Sequence, residues 1–190
     1  MSRIALWVRS ALWLWFLAAV AAGYFLVLQR IPPPATQAIL LGLTALTLSA
    51  YFRLAPLRAW VDALDPRALV QFHLTRFVGI YFLLLYRQGE LPYDFAVKGG
   101  IGDIVVAIFA SLLVFAPFEE TRRLRLLVIW NVIGLVDILL VVLTAVRLNL
   151  TDPYQMRALT HLPLSLLPTF LVPLIIATHV ILFVRLGTKR

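Results

Sequence analysis

The stretch Phe72-His73-Leu74-Thr75-Arg76-Phe77-Val78-Gly79 sets a histidine and an arginine three residues apart inside an apolar run, 68–86. A helix that crosses a bilayer needs about 20 mostly apolar residues, and this run is long enough. Residues at i and i+3 share a helix face, so His73, Arg76 and Gly79 form one stripe aimed at a single neighbour. An arginine at membrane depth costs about 2.5 to 3.5 kcal/mol on insertion scales and calls for a buried partner or a function. Asp103, Asn131, Asp137 and His179 lie in the other long apolar runs and are the candidates to supply either.

Working outward, six runs have the length and composition of crossing helices, at about 11–28, 35–54, 68–86, 99–118, 125–148 and 162–186. Pro32-Pro33-Pro34, Pro56 with Pro66, Gly89 to Pro92, Pro117 and Asp152-Pro153 break the chain between them. The fold expected is an all-α membrane bundle in a single domain, 1–190. Composition agrees: 62% hydrophobic and 14% charged residues, with a mean hydropathy of +0.94, stand far from the roughly 25% charge of soluble domains. Residues 1–28, with Arg3 and Arg9 before an apolar stretch, are read as a retained first helix rather than a cleaved signal peptide. Leu57–Leu64 reads as a short amphipathic surface helix. The apolar segment Gly89–Ala96 is expected to fold back over one mouth of the bundle.

Charge placement gives an orientation. The N-terminal tail, second loop, fourth loop and C-terminal tail hold eleven Lys and Arg, among them Lys189 and Arg190, against five in the other loops. The positive-inside rule then puts both termini in the cytoplasm, and the even helix count agrees. The net charge of +8 is scattered singly, without the basic stripe and interleaved aromatics of a nucleic-acid binder, and is read as topology signal and contact with lipid head groups. The absence of cysteine excludes disulfides, thiolate metal sites and cysteine nucleophiles. No HExxH, no GxSxG and no histidine-rich di-metal set is present, which weighs against an enzyme.

Converting position to depth at 1.5 Å per residue places His73, Asn131 and His179 about 10 Å from the positive ends, with Arg76 deeper. Asp137 falls near the midplane and Asp103 near the opposite surface, where it could simply cap the fourth helix. Pro163, Pro168 and Pro173 are expected to kink the sixth helix and free carbonyls that Ser165, Thr169 and Thr178 could cover. Thr44 and Thr47 can return their hydroxyls to their own backbone.

Three functions compete. A site for a small solute or protons would use Arg76, Asp103, Asn131, Asp137 and His73 as a path. A b-type haem electron carrier would use His73 and His179 as axial ligands, two histidines on different helices at equal depth, as bis-histidine ligation requires. A non-catalytic accessory or scaffold subunit, in a homo-oligomer or larger complex, would keep the polar groups as structural glue. No cofactor is required by the first and third readings.

The order Arg76-x-x-Gly79, Gly89-x-Leu91-Pro92, Phe95-Ala96, Gly100-x-Gly102-Asp103, Asn131-x-x-Gly134-x-x-Asp137 and Pro168-x-Phe170-x-Val172-Pro173 resembles small uncharacterised multi-spanning bacterial membrane proteins. The resemblance covers residues 72–186. It implies no activity, but it does imply that the polar positions act as one set, in a bacterial inner membrane.

Overall fold

The computed structural model describes residues 3–187 and is built from helices. Lys189 and Arg190, which entered the charge count, lie outside the described residues. Six helices are long and apolar enough to cross a membrane: α1 (Arg3–Tyr24), α2 (Pro33–Arg53), α4 (Pro66–Arg87), α5 (Asp94–Phe115), α6 (Glu120–Thr151) and α7 (Leu167–Gly187). A short helix, α3 (Ala55–Asp62), falls where the amphipathic segment was expected. The described residues form two compact units. One runs to Leu64 and includes Arg157–Ala177; the other holds Asp65–Met156 and the stretch from Thr178.

In the first unit, aromatic side chains of α1 meet the proline-rich start of α7. Trp15 and Phe16 pack edge-on to Phe170, with ring centroids 5.2 and 5.4 Å apart. Pro173 has no N–H to give the Thr169 carbonyl, and the Trp15 Nε1–H donates to that carbonyl instead, at 2.7 Å. The Thr169 hydroxyl donates to the Ser165 carbonyl at 2.6 Å, which is not one of the carbonyls the prolines free, and the Ser165 hydroxyl has no hydrogen-bond partner among the described residues. The proline-containing region takes up a π-helical turn, Leu167–Leu171. Thr44 and Thr47 do donate back to the carbonyls of Leu40 and Leu43, each at 2.8 Å. Tyr51 of α2 donates to Asp62 of α3 at 2.8 Å, fastening the short helix.

In the second unit α4, α5, α6 and the end of α7 pack with apolar residues outward and polar ones inward. On α6, Ile129, Ile133, Val136, Leu140 and Leu143 are exposed, while Trp130, Asn131, Gly134 and Ile138 are buried. That arrangement inverts the pattern of a soluble helix and suits an apolar solvent. Helices α4 and α5 meet backbone to backbone: a Cβ at Gly79 would collide with the Gly100 carbonyl and sit 3.1 Å from the Asp103 Cβ. Only glycine permits that approach. The turn between them, in contrast, rests on Gly89 at φ 76°, in the left-handed region.

Several boundaries differ from the sequence reading. α1 begins at Arg3 and ends at Tyr24, not 11–28, because its two arginines are tolerated at the helix start. α5 begins at Asp94 through a π-helical turn, Asp94–Gly99, so the supposed capping segment is a turn at 89–92 that runs into helix at its end. Its apolar residues Leu91, Phe95 and Ala96 are buried in the unit. α6 starts at Glu120, placing Arg122, Arg123 and Arg125 on a helix rather than in a loop. Arg123 turns back to donate to the Phe118 carbonyl at 3.0 Å.

Candidate functional site

Helix α4 is not uniform. An α-helical turn, Pro66–Phe72, passes into a 3₁₀ stretch, His73–Val78, and returns to α geometry over Gly79–Arg87. Three residues make one turn of a 3₁₀ helix, so His73 and Arg76 are eclipsed and project from one line. Such stretches inside a longer helix often mark hinges or strained functional segments. Both side chains are buried, His73 at 0% and Arg76 at 1% relative exposure.

The Arg76 guanidinium is held on three sides. Its Nε donates to Asp103 Oδ1 of α5 at 2.6 Å, its Nη1 donates to the Gly134 carbonyl of α6 at 2.9 Å, and its Nη2 donates to Asp137 Oδ2. Asp103 was expected near a surface. It is buried because α5 starts at Asp94, which sinks it by about 13 Å of helix. Asp137 differs from Asp103: its side chain keeps 21% of its exposure, against 5%. Gly102 makes room for it, since a Cβ there would overlap Asp137 Oδ1. One guanidinium thus faces two carboxyl groups, and the centre is one positive charge short of neutral.

A second cluster lies one helical turn along α4. Asn131 and His179 make a two-point contact: the Asn131 amide donates to the His179 carbonyl at 3.1 Å, and Asn131 Oδ1 lies 2.8 Å from His179 Nδ1. With the amide nitrogen committed, Oδ1 accepts, so Nδ1 carries the imidazole proton and Nε2 a lone pair. His73 Nε2 lies 3.0 Å from the Thr178 hydroxyl. The two imidazole centroids are 4.2 Å apart, and Trp130 packs on both at 4.8 and 5.2 Å. His73 Nδ1 and His179 Nε2 have no hydrogen-bond partner among the described residues. The His179 ring rests on Gly134, where a Cβ would come 2.6 Å from its Cε1. The stripe Asn131–Gly134–Asp137 therefore seats His179, the Arg76 guanidinium and one carboxylate in register.

This geometry does not fit a haem between the histidines. Metal–nitrogen bonds of about 2 Å on opposite faces would hold the imidazole centroids roughly 6 Å apart. The observed 4.2 Å spacing, with Trp130 against both rings, leaves no room for a porphyrin between them. Nor do three or more His, Cys, Asp or Glu converge as a metal-binding group among the described residues.

On the other side, Asp137 lines a cleft of about 410 Å³ between α5 and α6. Its far rim carries Asp94, which pairs with Lys98 at 2.7 Å and Arg147 at 2.6 Å. Two cations share this one carboxylate. The sequence reading missed this rim and Trp130, and it assigned Thr178 to a freed carbonyl, whereas the Thr178 hydroxyl lies beside His73. The spacing of Asp94 and Lys98 at i,i+4 was a usable signal; the approach of Arg147 was not, because it depends on helix packing.

Among the described residues, six helices long and apolar enough to cross a membrane, with a buried arginine between two aspartates, define a class: helical proteins compatible with a membrane that carry an internal ion-pair centre. The chain belongs to the family described as Domain of unknown function (DUF8737), which it matches over residues 33–187. The match extends beyond the resemblance seen in the motifs and takes in α2 as well. No curated protein and no solved structure matches the chain.

Proposed function

We propose that this chain is a multi-pass membrane protein whose Arg76–Asp103–Asp137 centre binds a proton or a small positively charged group and passes it to or from the cleft beside Asp137. The observation that carries the reading is the imbalance of one guanidinium against two carboxyl groups, one of which reaches an open cleft. A purely structural arginine needs one carboxylate. The second leaves a charge that must be balanced by a proton or a cation, since an uncompensated buried charge is strongly unfavourable. Ionisable groups at such depth are rare and mark ion or substrate paths. Asn131, His73 and His179 continue the polar line toward the Glu120 end of the unit. The excess of Lys and Arg on alternate loops supports both termini on the cytoplasmic side, and the motif resemblance supports a bacterial inner membrane.

The test is proton uptake into vesicles holding the purified protein, followed with an entrapped pH-sensitive dye. Wild type should move protons faster than empty vesicles, and Asp137→Asn should remove the difference. Equal rates for wild type, Asp137→Asn and empty vesicles would overturn the reading. The full engagement of Arg76 by protein acceptors favours a second reading, a structural triad in an accessory subunit, and that outcome would leave it standing.

A further inference from the structure

The cleft beside Asp137 joins two charge clusters of opposite imbalance. At its deep end, Arg76 with Asp103 and Asp137 is short of one positive charge. At its rim, Lys98 and Arg147 share Asp94 and leave one positive charge in excess. Between the two, Leu140, Val141 and Leu143 of α6 form an apolar wall. The volume, about 410 Å³, lies within the range of small-molecule sites, about 300 to 1,000 Å³.

The spacing can be read along α5. Gly102 touches Asp137, Lys98 stands four residues away and Asp94 eight, so the clusters lie between about 6 and 12 Å apart along the helix. Asp94 holds both rim cations at the far end of that span.

We propose that the cleft binds a zwitterion: an ammonium at Asp137, an anionic group at Lys98 and Arg147, and a short apolar chain against Leu140 and Val141. This rests on the proposed role of the Arg76 centre as a site for positive charge and names the class of its ligand. A simple cation would satisfy the deep end and be repelled at the rim. A simple anion would do the reverse. Only a molecule with both charges, separated by a few methylene groups, neutralises each cluster at once. Free amino acids with terminal charges and the head groups of aminophospholipids share this chemistry.

Isothermal titration of the purified full chain in lipid nanodiscs with 6-aminohexanoate tests the idea, with hexanoate and hexylammonium as single-charge controls. The zwitterion should bind at least tenfold tighter than either control. Asp137→Asn should lower its affinity to that of hexanoate, and Lys98→Gln with Arg147→Gln to that of hexylammonium. The rim residues are exposed, so the paired rim variant keeps the test open even where Asp137→Asn folds poorly. Competition by phosphatidylethanolamine nanodiscs, but not by phosphatidylglycerol ones, would assign the ligand to the lipid; no such competition with tight 6-aminohexanoate binding would assign it to a free solute. No preference for the zwitterion over both controls overturns the proposal, and proton uptake that still depends on Asp137 would then leave the charge-centre reading intact.

Discussion

Replacing Arg76 by alanine should destabilise the protein far more than any other single loss of an arginine in a described ion pair. The substitution removes three hydrogen bonds from a guanidinium at 1% exposure and strands the Asp103 carboxyl, at 5%, against apolar helices. It also leaves the Gly134 carbonyl without its side-chain donor. Removing one partner of a buried pair typically costs about 3 to 5 kcal/mol, chiefly because the remaining charge stays desolvated. At about 2 to 4 °C per kcal/mol for a chain of this size, the melting temperature in detergent should fall by roughly 6 to 20 °C. Arg58, paired with Asp62 at 3.6 Å with both side chains well exposed, provides the comparison. Exposed pairs are worth at most about 1 kcal/mol, so Arg58→Ala should lower it by less than about 4 °C. The cause is checked by neutralising the stranded acids. Arg76→Met combined with Asp103→Asn and Asp137→Asn should regain much of the lost stability, because no buried charge then remains. An Arg76→Ala variant as stable as Arg58→Ala, or a triple variant no better than Arg76→Ala, would refute the reasoning.

Gly79→Ala should drive a Cβ into the Gly100 carbonyl and cost about 1 to 3 kcal/mol or more, whereas Gly42→Ala, with nothing within 4 Å, should be close to neutral by thermal melting. Gly102→Ala should displace Asp137 from Arg76; proton uptake in vesicles should drop toward the level of Asp137→Asn. Trp15→Phe keeps an aromatic ring, though a smaller one, but removes the donor to the Thr169 carbonyl, and should lose about 1 to 3 kcal/mol of stability by thermal melting. Reporter domains fused after Leu28 and at the C-terminus should report opposite sides of the membrane; the same side would refute the orientation.

Helix number and the buried pairing of Arg76 were legible because each rests on one-dimensional signals. Length and hydropathy define the six apolar helices, and a charge inside such a run demands partners wherever the chain folds. The partners themselves were named from the same logic, since Asp103 and Asp137 are the acids inside neighbouring runs. Depth was not legible for Asp103. The glycines at 99, 100 and 102 read as a helix start, while α5 extends back to Asp94 through a π-helical turn that has no sequence signature of its own. The role of Trp15 was not legible either, since it serves the Thr169 carbonyl, freed by Pro173, more than 150 residues away. The histidines were read as a pair on separate helices, and their rings do lie side by side. What sequence could not supply was their distance, which decides against a haem between them.

The 3₁₀ stretch in α4 has a mechanical meaning. A 3₁₀ helix turns by about 120° and rises about 2.0 Å per residue, against about 100° and 1.5 Å in an α-helix. Over the six residues His73–Val78, rewinding to α geometry would swivel one half of α4 against the other by about 120° and shorten it by about 3 Å. Phe82 and Leu85, buried beyond the stretch, would sweep out of their packing unless the far half held still. The near half would then have to turn instead, carrying Arg76 off one or both of its carboxylates. Any rewinding of the segment would therefore move the central charge with it, and spin labels at either end of α4 would register such winding as a change in distance.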